Sequence, residues 1–89
     1  MARLEANTFD TAELASAGNT PDALFELGLM YGAGRDVEID LVSAHKWFNL
    51  AATRGNHEAK RYRMEIAREM SKPEIAEAQR QAREWLARH

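Results

Sequence analysis

The chain has 89 residues, with 14 acidic and 12 basic side chains and a formal net charge of −2 at pH 7. It contains no cysteine, which excludes disulfides and thiolate metal sites and fits a reducing compartment. No apolar run approaches the roughly 18 residues that a membrane-spanning helix needs, and the first residues lack the pattern of a secretory leader. We therefore expect one small cytoplasmic domain with no membrane segment.

Charge is unevenly distributed along the chain. Residues 1–53 carry three basic and eight acidic side chains, a balance of −5, whereas residues 54–89 carry nine basic and six acidic ones, a balance of +3. Mixed charge of this kind usually solvates helix surfaces. The alternative is that the acidic half of one molecule attracts the basic half of another. Nucleic-acid binding is not expected, because the basic residues after position 60 are interleaved with glutamates.

The segment 8–19 is predicted to form a short helix followed by a turn. Residues at its end recur 36 or 37 positions later: Ala15, Gly18, Asn19 and Ala23 correspond to Ala52, Gly55, Asn56 and Ala59. A period of this length is typical of arrays of helical hairpins. We interpret residues 8–22 as the remnant second helix and the turn of a preceding repeat.

The next helix is predicted by apolar side chains that recur every three or four residues from Ala23 onward. Thr20 can cap its first turn, and Pro21 is tolerated at the first helical position. Gly34 can adopt the left-handed conformation that ends a helix. Phe25 lies off the apolar stripe and is expected to be at least partly exposed. The predicted core face consists of Ala23, Leu24, Leu27, Met30 and Tyr31.

A second helix is predicted between an N-cap at Asp40 and a stop at Gly55. Large side chains on one of the two stripes face small residues on the other, which allows two helices to approach closely. The pair should therefore form an antiparallel hairpin. The apolar stripe of the second helix is Leu41, Ala44, Trp47, Phe48, Ala51 and Ala52.

Two more helices are predicted after Asn56, and the last begins with the capping-box pair Ser71 and Glu74. The third helix has a face of Ala59, Tyr62, Ile66 and Met70. The fourth is predicted to turn Ile75, Ala78, Ala82, Trp85 and Leu86 inward. Such a helix can cap the end of a repeat array, or serve as a short dimerisation seam, because positions 75, 78, 82 and 85 also fit a heptad.

No set of residues has the spacing of a catalytic or metal site. His57 and Glu58 begin a zinc-protease motif, but Arg61 stands where the second histidine is required. His45 has no second ligand nearby and is predicted to be solvated or hydrogen-bonded. The acidic residues within 36–40 alternate as in a calcium loop, yet the later ligand positions are apolar. We expect no enzyme activity, cofactor, bound metal or small-molecule substrate.

A set of residues from both central helices stands in a characteristic order: Ala23, Leu27, Gly28, Tyr31, Gly34, Val37, Asp40, Ala44, Trp47, Phe48, Ala51, Ala52, Gly55 and Ala59. This order resembles a Sel-one-like (Sel1-like) repeat, a relative of the tetratricopeptide repeats. The chain departs from the family pattern just before the valine, where Arg35 and Asp36 replace a usual second glycine. The next unit is degenerate, because Arg63, Met64 and Ala67 stand where the pattern has leucine, glycine and tyrosine.

The resemblance implies an all-α fold. The expected architecture is a short right-handed α-solenoid of antiparallel helical hairpins, a tetratricopeptide-like superhelix, with a C-terminal capping helix. Residues 1–89 would form a single helical-repeat domain. Its expected parts are the remnant helix and turn at 8–22, a complete repeat at 23–58, a degenerate first helix of the next repeat at 59–70, and a cap helix at 71–89.

The resemblance also implies a non-enzymatic protein–protein interaction module, an adaptor or scaffold that binds a peptide or partner protein on a concave surface of first helices. The expected partner-binding residues are Asp22, Phe25, Glu26, Leu29, Arg61, Tyr62 and Glu65. Phe25 and Leu29 are the expected anchors, and their replacement by alanine is expected to leave the melting temperature unchanged. The alternative is a structural unit that completes its core by homodimerisation, because repeat arrays usually need three or more units.

Overall fold

The computed structural model describes residues 20–89, and every regular element in this range is an α-helix. The helices are α1 (Pro21–Ala33), α2 (Leu41–Thr53), α3 (His57–Ala67) and α4 (Lys72–Arg88). The helix predicted within residues 8–19, and with it most of the proposed remnant repeat, lies outside the described residues. None of the four helices is both long enough and apolar enough to span a membrane. The all-helical prediction is confirmed for this part of the chain.

Local capping chemistry sets where the helices begin. The N-cap side chains of Thr20, Asp40, Asn56 and Ser71 each accept a hydrogen bond from the backbone N–H three residues further on, at 2.9–3.2 Å. Glu74 completes the predicted capping box, because its carboxylate accepts a hydrogen bond from the backbone N–H of Ser71 at 2.8 Å. The first helix begins at Pro21, directly after its cap and two residues before Ala23, where the apolar spacing starts.

The turn between α1 and α2 uses two residues with left-handed backbone. Gly34 has a φ of +72° and its N–H donates to the carbonyl of Met30, as the predicted helix stop requires. Asp36 has a φ of +65° and is the non-glycine residue with positive φ within residues 20–89. Asp36 directly precedes Val37, and the Sel-one-like pattern usually has its second glycine at this position just before the valine. Asp36 therefore adopts the left-handed backbone conformation that a glycine would adopt at this position.

Helix α2 lies at the centre of the fold, because each extensive helix–helix packing among the described residues joins α2 to another helix. α1 packs against it as the predicted hairpin, and α3 and α4 pack against it separately. The buried core consists of Leu24, Leu27, Ala44, Trp47, Phe48, Leu50, Ala51, Ala59, Ala82 and Trp85. The core thus draws on all four helices.

Two neighbouring aromatic residues of α2 make contacts with different helices. The ring of Phe48 lies 5.7 Å from Phe25 on α1 and 5.5 Å from Tyr62 on α3, between ring centroids. The ring of Trp47 meets Trp85 of α4 edge to face, with centroids 5.8 Å apart. Residues adjacent in a helix point about 100° apart. One turn of α2 can therefore hold α1 and α3 on one side and α4 on another.

The inward face of α4 is narrower than predicted. Ala78, Ala82 and Trp85 are buried, but Leu86 is 41 % exposed, so its predicted inward position is wrong. Because α4 packs extensively against α2 alone, only a stripe one residue wide at each turn is covered. The 78, 82 and 85 positions of the possible heptad seam are used in the chain's own core.

His45 is a buried polar residue of α2. It is only 4 % exposed, and its Nδ1 atom has no hydrogen-bond partner within residues 20–89. The prediction of a solvated or hydrogen-bonded histidine is therefore wrong at this atom. Burial and the positive charge of Arg63 on α3 both hold the pKa of His45 below its ordinary value of 6.5.

Candidate partner-binding surface

The predicted partner-binding residues lie along one face of α1 and on the neighbouring part of α3. On α1, positions 22, 25, 26 and 29 follow the three- and four-residue spacing that places side chains on one helix face. On α3, positions 61, 62 and 65 do the same. We call this set the α1–α3 surface. Its members are Asp22, Phe25, Glu26, Leu29, Arg61, Tyr62 and Glu65.

The structure brings Phe25 and Tyr62 into direct contact. Their ring centroids are 5.2 Å apart with an interplanar angle of 83°, an edge-to-face arrangement. Both side chains are half-buried, and both pack against the core through Phe48. The partial exposure of Phe25 agrees with its position off the apolar stripe. Together the two rings form a partly exposed aromatic pair between α1 and α3.

Leu29 belongs to the same apolar area but is not a free anchor. It is half-buried and packs against the core, as Phe25 and Tyr62 do. Truncation of half-buried side chains removes packing as well as exposed surface. The expectation that alanine at Phe25 and Leu29 leaves the melting temperature unchanged is therefore not supported by the packing. A test of binding needs substitutions that keep the apolar volume.

A hydrogen bond fixes the two helix starts relative to each other. Asn56 caps α3 with its side-chain oxygen, and its Nδ2 donates to a carboxylate oxygen of Asp22 at 3.2 Å. Asp22 stands in the first turn of α1. The first turns of the two helices consequently lie close together. Asp22 is exposed, but one of its oxygens is already engaged by this contact.

Charged residues flank the aromatic pair on both helices. Glu26 accepts a hydrogen bond from the guanidinium of Arg35 at 3.3 Å. On α3, Arg61 lies 3.1 Å from Glu58 and 3.7 Å from Glu65, and its guanidinium stands over the ring of Tyr62 at 5.0 Å. All of these charges are on exposed side chains, where ion pairs contribute little stability. They are available to orient a charged ligand.

The α1–α3 surface combines exposed charges with a partly exposed apolar centre. Within residues 20–89, no group of three or more histidine, aspartate or glutamate side chains is arranged to hold a metal ion. The surface offers an apolar centre, a phenol hydroxyl and charges of both signs around it. Protein-recognition sites commonly combine an aromatic centre with a polar rim.

Sequence reasoning missed two residues that shape this surface. The sequence identifies Asn56 as part of a repeated turn but does not predict its bond to Asp22. Arg35, noted only as a departure at the turn, reaches back to Glu26. A polar residue before a predicted helix does signal an N-cap. Its second hydrogen bond depends on which helix lies beside it.

Comparison with protein families gives one assignment. Residues 21–56 match the family model of the Sel1 repeat. Comparison with curated proteins and with solved structures finds no match to the chain. Sel1 repeats are non-enzymatic repeats that generally mediate protein–protein interaction. The matched range contains all of α1 and α2 and ends at the cap of α3, which is the hairpin described above. Residues 21–56 of this chain, 36 of its 89 residues, are therefore similar to a Sel1 repeat.

Proposed function

We propose that this chain is an adaptor that binds a peptide segment of a partner protein on the α1–α3 surface. The single observation that carries the proposal is the contact between Phe25 and Tyr62. Two half-buried rings meet at the junction of two helices, and each keeps part of its surface exposed. A partner side chain that packs on the pair would touch both helices at once.

The pair is held in place before any partner arrives. The ring of Phe48 packs against both rings in the core and is itself 1 % exposed. Aromatic residues of this kind offer a large contact area and have few rotatable bonds to order on binding. A rigid aromatic platform therefore favours binding, since little conformational entropy is lost there.

The charges that flank the aromatic pair differ between α1 and α3, so they can orient a bound peptide. Glu26 lies beside Phe25 in sequence on α1, and Arg61 stands over Tyr62 on α3. A peptide lying across the aromatic pair would meet Glu26 with its partner Arg35 on one side and the ion pairs of Arg61 on the other. We propose a ligand with an apolar or aromatic anchor and a basic residue positioned to approach Glu26.

The test uses a double variant that removes the ring at position 25 and changes the neighbouring charge. Phe25→Leu/Glu26→Lys retains an apolar side chain at 25 and reverses the exposed charge at 26. The matched control is Leu86→Val/Arg83→Glu, which makes the same kind of changes at exposed positions of α4. Both are first compared with the wild-type chain by circular dichroism and thermal unfolding.

Partners are captured from extract with each folded protein, and the captured partner is then purified and titrated against all three. We expect the control to bind like the wild type and the α1–α3 variant to bind about tenfold or more weakly. Equal affinity of the α1–α3 variant and the wild type for the purified partner would contradict the proposal.

A further inference from the structure

An open acidic depression lies between the two hairpin turns, away from Phe25 and Tyr62. It has a volume of about 560 Å³ and is bordered by the α1–α2 turn and by the region around the α3–α4 turn. All charged residues that line it are acidic: Glu38, Asp40, Glu69 and Glu74. Ile39 lies among them and is 63 % exposed, the most exposed large apolar side chain of the described residues. We call this the Ile39 depression.

A second surface with the opposite charge lies on the outer side of α3. A shallow depression of about 270 Å³ is lined by His57, Lys60, Arg61, Met64, Glu65 and Arg68. Met64 is 55 % exposed at its centre. Glu58 and Glu65 pair with Arg61, whereas neither Lys60 nor Arg68 forms an ion pair with any residue between 20 and 89. We call this the Met64 face.

Met64 is exposed because α4 does not pack over α3 as α2 packs over α1. Met64 occupies the position in α3 that Gly28 occupies in α1, 36 residues earlier. Gly28 is buried beneath Phe48, which the second helix of its own hairpin supplies. The corresponding second helix, α4, packs extensively against α2 instead of α3. No residue of α4 therefore covers Met64 as Phe48 of α2 covers Gly28 of α1.

We infer that the Ile39 depression of one copy of this chain binds the Met64 face of another copy. Each surface has an exposed apolar side chain at its centre, and the charges around the two are opposite. Ile39 would supply the apolar cover that α3 lacks, while Glu38 and Glu69 would approach Lys60 and Arg68. Burial of two exposed apolar side chains favours the contact, and the charges set its orientation.

The occupant is a second copy because both complementary surfaces are present on the same chain. Four acidic and no basic side chains line the Ile39 depression, whereas the Met64 face has three basic side chains, Lys60, Arg61 and Arg68, and one glutamate. A surface and its complement on one molecule pair either as a two-fold dimer or as a head-to-tail series. The contact does not use the Phe25 and Tyr62 pair. Arg61 and Glu65 belong to both surfaces, so the test substitutes Lys60 and Arg68, which lie outside the α1–α3 surface.

The contact is expected to be weak and sensitive to salt. Its charged members are exposed side chains, whose attraction is screened over about 10 Å at 0.1 M ionic strength. Each surface has one large exposed apolar side chain at its centre, Ile39 or Met64, so the contact buries little apolar area. We expect a dissociation constant between about 1 µM and 1 mM, tighter at low salt.

The experiment is a charge swap on the full chain, read by sedimentation equilibrium at low salt over about 1 µM to 1 mM protein. One variant is Glu38→Lys/Glu69→Lys, and the other is Lys60→Glu/Arg68→Glu. All four positions are exposed, so both variants should fold, which circular dichroism checks. Arg83→Glu/Arg88→Glu is the control, because it changes net charge as the second variant does but lies on α4 outside both surfaces.

The wild type and the control should self-associate, and each swap variant alone should do so about tenfold or more weakly. An equimolar mixture of the two swap variants should recover association, because each acidic surface then meets a basic one. A wild type of 10.1 kDa at every concentration would overturn the inference. Swap variants that associate as the wild type does, or a mixture of them that stays monomeric, would overturn it as well.

Discussion

The backbone of Gly28 lies directly against the ring of Phe48. A β-carbon placed on residue 28 would stand 2.4 Å from Cδ1 and 2.5 Å from Cε1 of that ring. Phe48 is 1 % exposed and touches Phe25 and Tyr62 on its other sides, so it has little room to move. This close approach sets the distance between α1 and α2, and it explains why a glycine stands in the middle of a helix.

We expect Gly28→Ala to lower the free energy of unfolding by about 1–3 kcal/mol, because the added methyl group overpacks the core at Phe48. Gly32→Ala is the matched control on the same helix. A β-carbon there would make an ordinary contact of 3.6 Å with Ala44, so the better helix propensity of alanine should raise stability by about 0.5–1 kcal/mol. Urea denaturation of both variants measures the difference. Equal stabilisation by the two substitutions would show that α1 can shift away from α2.

Asp36→Gly should stabilise the fold. Asp36 is held at a φ of +65°, a left-handed conformation that glycine adopts without steric cost. We expect a gain of about 0.5–1 kcal/mol in thermal or urea unfolding. Arg35→Gly is the neighbouring control and should lower stability by about 0.5 kcal/mol, since it removes the pair with Glu26 and adds flexibility. A loss of stability in Asp36→Gly would mean that the aspartate side chain itself holds the turn.

Trp85 and Leu86 are neighbours on α4 with different roles. Trp85 is 8 % exposed and meets Trp47 edge to face, so Trp85→Ala should cost about 3–5 kcal/mol. Leu86 is 41 % exposed, and Leu86→Ala should cost less than about 1 kcal/mol. Denaturant unfolding followed by far-ultraviolet circular dichroism compares the two directly. A similar cost for both would indicate that α4 buries a wider face than the structure shows.

The burial of His45 makes stability depend on pH. Its pKa in the folded chain lies below the ordinary value of 6.5, so the unfolded chain binds a proton more readily. The contribution of His45 is therefore fully present above pH 6.5 and is lost as the pH falls from 6.5 through the lowered pKa. Urea midpoints measured from pH 8 to pH 5 should fall for the wild type.

The variant His45→Leu tests this origin. It removes the titrating group and the unpartnered Nδ1 atom, so the loss of stability between pH 8 and pH 5 should be smaller than in the wild type. His57→Gln, at an exposed position, is the control and should keep the wild-type pH dependence. An unchanged profile in His45→Leu would assign the pH dependence to another group.

Asn56 should contribute to the free energy of unfolding in two ways, through the cap of α3 and through its bond to Asp22. Asn56→Ala removes both the cap of α3 and the bond to Asp22, and should cost about 1–2 kcal/mol. Asn56→Ser keeps a capping oxygen but loses the donor to Asp22, so about 0.5 kcal/mol is expected. Thermal unfolding of the two variants, with Asp22→Ala as a third, separates the cap from the link between α1 and α3. If serine costs as much as alanine, the cap contributes nothing measurable here.

Much of the local structure followed from the sequence alone, because it depends on residues close together in the chain. The caps at Thr20, Asp40 and Ser71, the stop at Gly34 and the apolar stripe of α2 were predicted from short-range hydrogen bonding and helical spacing. The same spacing placed the proposed partner-binding residues on the faces of two helices. Their role in binding, and the remnant repeat before residue 20, remain predictions.

What only the tertiary structure decided is how the helices are oriented against one another. Because α4 packs against α2 and not extensively against α3, Leu86 and Met64 are left exposed. Because α3 lies beside α1, Phe25 meets Tyr62 and becomes part of the packing as well as of the surface. These outcomes depend on contacts between residues distant in sequence, where several apolar faces compete for the same partner helix. Local periodicity identifies the faces, and only the assembled core determines which of them are covered.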